Sequence, residues 1–365
     1  MRSVELFTGC GGLGLGLARA GFRHQLMVEW NADAVETVLH NRARGVEHVA
    51  NWPIVCSDVG KIDWRPHAGV ELVAGGPPCQ PFSIGGKHRG NDDHRDMWPQ
   101  AIRAVFEIRP RAFIFENVRG LARPKFAGYL REIVDGLACP GEGLGYNVRV
   151  IQVNAADYGA AQKRHRVIIA GVRLDALTKP FDTLKPTHSR ERLLWEQFVT
   201  GTYWAKHGLP KKPDPTEYRD VGTVRRLRED GVEPEGLRWV TVRDQLRGLG
   251  EPSGRNNHIF QAGAKPYEGH TGSPLDQPAK ALKAGDHGVP GGENMMVLPN
   301  GGVRYFSTRE AARLQGLPDD YEFPRSWTES MRQLGNAVPS ELAEAVGRWM
   351  ANILTKGGGI LPMAA

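Results

Sequence analysis

A chain of 365 residues, 40% hydrophobic and 24% charged, can hold a large core and a second, smaller domain, and its composition is that of an ordinary soluble globular protein. Its formal charge of +6 suits a phosphate-bearing partner without requiring one. No run approaches the ~18 apolar residues of a membrane helix, and an apolar strand pattern begins within the first few residues, which argues against a signal peptide.

The first half alternates short apolar runs with amphipathic stretches. Strands are predicted at 4–7, 25–29, 54–56, 71–74, 112–116, 148–153 and 167–171, with helical spacing at 14–20, 32–41, 98–108 and 128–137. Such alternation predicts an α/β fold with a doubly wound, mostly parallel sheet, whose ligands bind beyond the carboxyl ends of the strands. After about residue 178 the texture changes. Lys-Pro pairs recur at 179–180, 185–186 and 212–213 and alternation fades, so 179–302 reads as a smaller loop-rich domain with a few helices near 191–207. Regularity returns at Val303. Ser307-Thr-Arg-Glu310 is a capping box, and 341–354 reads as a closing amphipathic helix, so 303–365 is expected to complete the domain begun by 1–178.

Five motifs sit at the turns of this pattern. Gly9, Gly11, Gly12, Gly14 and Gly16 crowd the first strand-to-helix turn, where glycine lets backbone approach a ligand. Gly9-x-Gly11-x-x-Gly14 also fits a dinucleotide fingerprint, so it leaves NAD open. Glu29 ends the second strand and can accept ribose hydroxyls. Pro77-Pro78-Cys79-Gln80 delivers a cysteine from an apolar run onto a stiffened loop, well placed for attack and poorly placed for packing. Glu116-Asn117-Val118, Gln162-Lys-Arg-His-Arg166 and Gly335-Asn-Ala-Val-Pro339 follow. Four cysteines (10, 56, 79 and 139) without CxxC spacing suggest neither a disulfide framework nor zinc and fit reduced thiols in a cytoplasm. A buried, inert role is expected for Cys10, Cys56 and Cys139.

In this order the motifs resemble the 5-methylcytosine DNA methyltransferases, over roughly 3–172 and 303–352, of the stand-alone bacterial kind that accompanies restriction enzymes. The resemblance implies S-adenosylmethionine as methyl donor and duplex DNA as substrate, a monomer in a bacterial cytoplasm, and a cognate restriction endonuclease as a partner of the same site. It implies Cys79 as the nucleophile that adds to C6 of cytosine, and Glu116 at ring nitrogen N3. Arg164 would hold the base carbonyl, Arg166 would brace Glu116, and Asn117 would fix the cysteine loop. Around the cofactor it implies Phe7, the backbone of Gly9, Gly11 and Gly12, Glu29 at the ribose, Trp30 and Asp58 at the adenine, and Pro78 and Asn336 at the methionine end. The target atom is inaccessible in a duplex, so the base must be flipped out. Residues 82–90 then read as a flap, with Ser83, Lys87, Arg89 and Arg95 toward DNA, joined by Gln162. In the segment where this family reads its target, Lys283 and His287 belong to a Gly-rich loop suited to a groove, and Arg255, Lys265 and Lys280 are further candidate contacts. Three other readings stay open: the tRNA-methylating branch of the same core, a DNA-binding module without catalysis, and an NAD dehydrogenase. The first usually carries a Cys-Phe-Thr tripeptide that 178–302 lacks, and the last needs a hydride-transfer site that is not evident.

Overall fold

A computed structural model of the chain describes residues 1–78, 96–176, 183–215, 217–268, 271–284 and 292–355. Seven strands form its main sheet: β1 (Arg2–Leu6), β2 (Arg23–Glu29), β3 (Ile54–Cys56), β4 (Leu72–Gly75), β5 (Ala112–Val118), β6 (Tyr146–Asn154) and β7 (His165–Arg173). Their order is β3-β2-β1-β4-β5-β7-β6. The first five run parallel, and β7 is antiparallel to both β5 and β6. The doubly wound, mostly parallel sheet predicted from alternation is therefore present, each predicted strand lying within two residues of an observed one.

Burial explains why these segments become strands. Side chains alternate across a strand, so Leu72, Ala74, Ala112 and Ile114 enter one face and Val73, Phe113 and Phe115 the other. Both faces are covered, as a parallel sheet requires. One layer holds α1 (Gly12–Arg19), whose Leu13 and Leu17 pack with Leu342 and Val346 of the closing helix. The opposite layer holds α3 (Trp98–Ile108) and α4 (Ala127–Ala138), inserting Trp98, Ala101, Val105, Ile133 and Leu137. Between β2 and β3 runs α2 (Ala32–Ala43), capped by Asn31, whose side chain accepts from the Ala34 amide.

From residue 183 onward regular elements are short. Arg190–Leu194, a π-helical turn at Trp195–Thr200 and Thr202–Lys206 pack with α5 (Tyr218–Asp230) around Leu193, Trp195, Phe198, Tyr203, Trp204 and Leu227. Another cluster is shared across the chain, joining Val242, Ala279, Leu282 and Met296 to Cys10, Leu15 and Met27. The strand Ala279–Lys280 pairs in parallel with Gln162–Lys163. The predicted capping box exists: Ser307 accepts from the Glu310 amide and the Glu310 carboxylate from the Ser307 amide, opening α6 (Thr308–Leu314). Then come α7 (Trp327–Asn336) and α8 (Ser340–Thr355), which lies against α1.

The seating of α1 against α8 and the turn that leads into it explains two glycines of the first motif. A Cβ on Gly12 would meet the Val338 carbonyl at 2.3 Å, and one on Gly16 the Ala343 Cβ at 2.4 Å. Their primary constraint is close helix approach. Among the described residues no helix is long and apolar enough to cross a membrane.

Candidate functional site at the carboxyl edge of the sheet

Register fixes which residues meet. Leu6 pairs with both Val28 and Gly75, Glu29 with Cys56, and Gly75 with Phe115. The residues that follow these partners leave the sheet along one edge, Phe7, Trp30, Asp58 and Gly76 to Pro78, while β5 runs on past Phe115 and carries Glu116 and Asn117 within its last three residues.

On the β1–β3 side the chain turns sharply. Phe7 (φ 59°) and Gly9 (φ 57°) are both left-handed, and a Cβ on Gly9 would meet nothing within 4 Å. A non-glycine residue at positive φ is strained, so the turn is held from outside. Glu29 is one of those holds. Its buried carboxylate accepts from the Gly9 amide through Oε2 and from the Asn31 amide through Oε1, both at 2.8 Å. Gly11 is also left-handed, and a Cβ there would strike the Trp52 ring at 2.5 Å. Trp30 follows Glu29 with 77% of its surface exposed, a bare indole face on the same edge. Asp58 is exposed and uses Oδ1 to accept from the Gly60 amide, capping a short turn. Pro78 and Asn336 are exposed as well.

A flat aromatic surface, a pre-oriented carboxylate, an exposed second carboxylate and open space over Gly9 fit an adenosyl group with a ribose diol. The same set also fits the adenosine half of NAD.

On the β4–β5 side the chemistry concentrates. Asn117 is buried and donates through Nδ2 to the Pro77 carbonyl at 2.9 Å, two residues before Cys79. Glu116 is buried beside it and pairs through Oε1 with Arg166 Nε at 2.5 Å. Antiparallel pairing makes this contact: Val118 lies opposite Arg166 and Glu116 opposite Ile168, so β7 lays its guanidinium along β5. Cys79, Ser83, Lys87, Arg89, Arg95 and His287 lie outside the described residues.

Arg164 departs from the role expected of it. It is 1% exposed, and its two terminal nitrogens donate to the carbonyls of Leu282 (2.9 Å) and Gly335 (2.7 Å). Burial, then the neighbouring Arg166 charge, lowers its affinity for the proton. The guanidinium thus ties three segments together, with only Nε unpartnered. Gln162 is a correction. It is fully buried, donating to the Leu314 carbonyl and the Gln315 side chain, and cannot meet DNA as placed. Lys283 is exposed and pairs with Glu293 at 2.5 Å.

The cysteines correct a further expectation. Cys10 is buried, and desolvation pushes its thiol up to about 12. Cys56 and Cys139 are exposed instead, Cys56 because β3 is an edge strand and Cys139 because it caps α4.

Sequence reasoning missed the cluster beneath the glycine turn. Glu5 is buried with both carboxylate oxygens lacking a hydrogen-bond partner, and burial raises its pKa well above the ordinary value. His24 beside it bonds Ser3 Oγ and the Gly14 carbonyl, each at 3.0 Å. The polar residues Ser3 and Glu5 inside an apolar run were the available signal.

Comparison with known proteins places these residues in a wider setting. The family model described as "C-5 cytosine-specific DNA methylase" matches residues 1–352. The chain is 31% identical to the Type II methyltransferase M.NgoMIV of Neisseria gonorrhoeae over 363 residues, covering 97% of this chain and 98% of that one. It is 33% identical to the Type II methyltransferase M.PspPI of a Psychrobacter strain, covering 96% and 79%. In fold it resembles the solved Dnmt2 methyltransferase of S. pombe, with a TM-score of 0.60 at 17% identity over 98% of this chain and 99% of that one.

Proposed function

The chain belongs to the C-5 cytosine-specific DNA methylases and is a DNA (cytosine-5)-methyltransferase of restriction-modification type; from that premise we propose that it methylates a flipped-out cytosine in a specific duplex sequence by covalent catalysis through Cys79. The observation that carries this reading is the Asn117 amide on the Pro77 carbonyl, which ties the chain two residues before Cys79 to the strand that carries Glu116.

C5 of cytosine is a weak nucleophile. Bond formation between Cys79 Sγ and C6 makes C5 enamine-like, and Glu116 eases it by hydrogen-bonding or protonating N3. Arg166 keeps Glu116 turned toward the base through their ion pair. Arg164 acts at one remove, holding the Leu282 and Gly335 carbonyls so that the edge keeps its shape. S-adenosylmethionine would supply an electrophilic methyl group on a sulfonium centre. Glu29 would take its ribose, Trp30 its adenine face, Asp58 the adenine amine, and Phe7, the Gly9 to Gly12 backbone, Pro78 and Asn336 the remainder. Loss of the C5 proton and breakage of the S–C6 bond release the product and restore the thiol.

Ser83, Lys87, Arg89, Arg95, Lys283 and His287 are proposed DNA contacts, and a nuclease cutting the same site is a proposed partner. Residues 179–302 are proposed as the target-recognition domain, and a cytoplasmic monomer as the working form. Bisulfite sequencing of duplex DNA incubated with the protein and S-adenosylmethionine tests the reaction: one cytosine context should become protected, and none would refute it. Trapping on 5-fluorocytosine duplexes tests the Cys79 bond separately.

A further inference from the structure

One lysine of the Gln162–Arg166 motif has no role in the chemistry above. Lys163 lies in the strand pair Gln162–Lys163 with Ala279–Lys280, directly opposite Lys280 in register. Successive side chains on a strand point to opposite faces. Gln162 and Ala279 are both fully buried, so Lys163 and Lys280 share the other face. Their stems leave backbones roughly 4.8 Å apart, the ordinary strand spacing.

Two ammonium groups so placed repel. Lys280 Nζ donates to Thr271 Oγ1 at 3.2 Å, a neutral partner that cancels no charge. For Lys163 the described residues offer no hydrogen bond or ion pair. The charged groups facing it are Arg190, which adds repulsion, and Glu217, which offsets some of it. Arg190 is itself engaged by buried Asp220. Desolvation lowers the Lys163 pKa, a consequence of the same half-buried position. Like charges directly opposite on a ladder are destabilising unless something bridges them.

We propose that Lys163 and Lys280 together seat one backbone phosphate of the duplex. A phosphodiester spreads one negative charge over two non-bridging oxygens, so each ammonium group can donate to one of them. The seat has a mechanical meaning. One strand leads through Lys163 into Arg164, and the other leads from Lys280 to Leu282, whose carbonyl Arg164 holds. A phosphate across the pair would therefore lock the DNA register to the joint between the catalytic edge and residues 271–284. The proposal rests on duplex DNA being the substrate.

Its test is a double-mutant cycle on DNA affinity, read by fluorescence anisotropy over a salt series with a cognate duplex. Lys163→Ala and Lys280→Ala should each weaken binding roughly three- to tenfold and lower the slope of log K against log salt by about 0.9, the contribution of one phosphate. The double variant should lose little more than either single one, and Lys163→Arg with Lys280→Arg should restore affinity. Arg131→Ala, removing an exposed charge on α4, should leave the slope near the wild type. S-adenosylmethionine binding should be unchanged throughout, which separates this effect from misfolding. Losses that multiply in the double variant, or slopes that do not move, overturn the shared seat. If the wild-type protein methylates no DNA, the parent reading fails instead, and that outcome is visible before any variant is made.

Discussion

The sheet of residues 2–173 and the stretch from 183 to 302 hold their functional groups by different means. In the sheet, position follows from backbone pairing: Leu6, Glu29, Gly75 and Phe115 are locked in register, and the residues after them arrive at the edge together. In the later stretch, position follows from single side chains reaching backbone, as with Asn257 on the Phe323 carbonyl, Asn294 on the Lys283 carbonyl and Arg164 on the Leu282 carbonyl. Ladder bonding is repetitive and tolerant of surface change. Point anchoring concentrates a loop's geometry in one or two bonds, so loops can vary while their anchors stay. That division suits the proposal that the sheet carries the chemistry and residues 179–302 read the target.

The division breaks most severely at Cys79. Cys79→Ser should cut turnover by more than about 10³-fold while leaving cofactor binding intact, measured by tritiated methyl transfer. Full turnover in that variant would move the chemistry off the edge altogether. Glu116→Gln comes next, with an expected loss of roughly 10² to 10⁴ in kcat, since a neutral amide can still bond to N3 but cannot give it a proton.

The polar cluster under the glycine turn gives a pH test of the sheet side alone. Burial lowers the His24 pKa from 6.5 to about 4, so the folded state holds it neutral. At this residue the unfolded chain then binds more protons between those values, so the His24 contribution to stability falls as pH drops from about 6.5 toward 4, by about 3 kcal/mol. Glu5, whose pKa burial raises, works in the opposite sense over the same range. Denaturant melts across that range should show wild type losing stability relative to His24→Asn as the pH falls; a difference that stays constant with pH would refute the buried neutral imidazole.

Where the two regions meet, Gly335→Ala should cost about 1–3 kcal/mol, because its Cβ would lie 2.2 Å from the Ala284 amide nitrogen. If thermal unfolding is unchanged, the joint is looser than point anchoring implies. The smallest effect is expected at Trp30→Ala. It should weaken S-adenosylmethionine about tenfold by calorimetry with no shift in melting, because an indole 77% exposed stabilises nothing in the fold.

The same contrast governs what could be read from the residues. Strands such as Ile54–Cys56 and helices such as Trp98–Ile108 were legible residue for residue, because burial on a sheet imposes a period. The helix Tyr218–Asp230 was not, since it buries only Asp220, Val224 and Leu227 and is otherwise charged. Trp327–Asn336 was missed because its buried face includes Ser330, Gln333 and Gly335, which carry no apolar signal. The candidate site was legible as motifs but not as bonding. Nothing in Gln162-Lys-Arg-His-Arg166 announces that Gln162 turns inward, that Arg164 grips two carbonyls, or that Arg166 meets Glu116. Those directions depend on the antiparallel placement of β7 beside β5, a pairing of residues about fifty apart.

The seating of α8 against α1 has a consequence for biosynthesis. Residues 20–339 must be translated after the first helix before the partner that covers it can be made. At 5–20 residues per second, roughly 15–65 s must pass before Leu13 and Leu17 can be covered by Leu342 and Val346. During that interval a nascent chain presents a greasy, half-built layer, and only the arrival of α8 can close it.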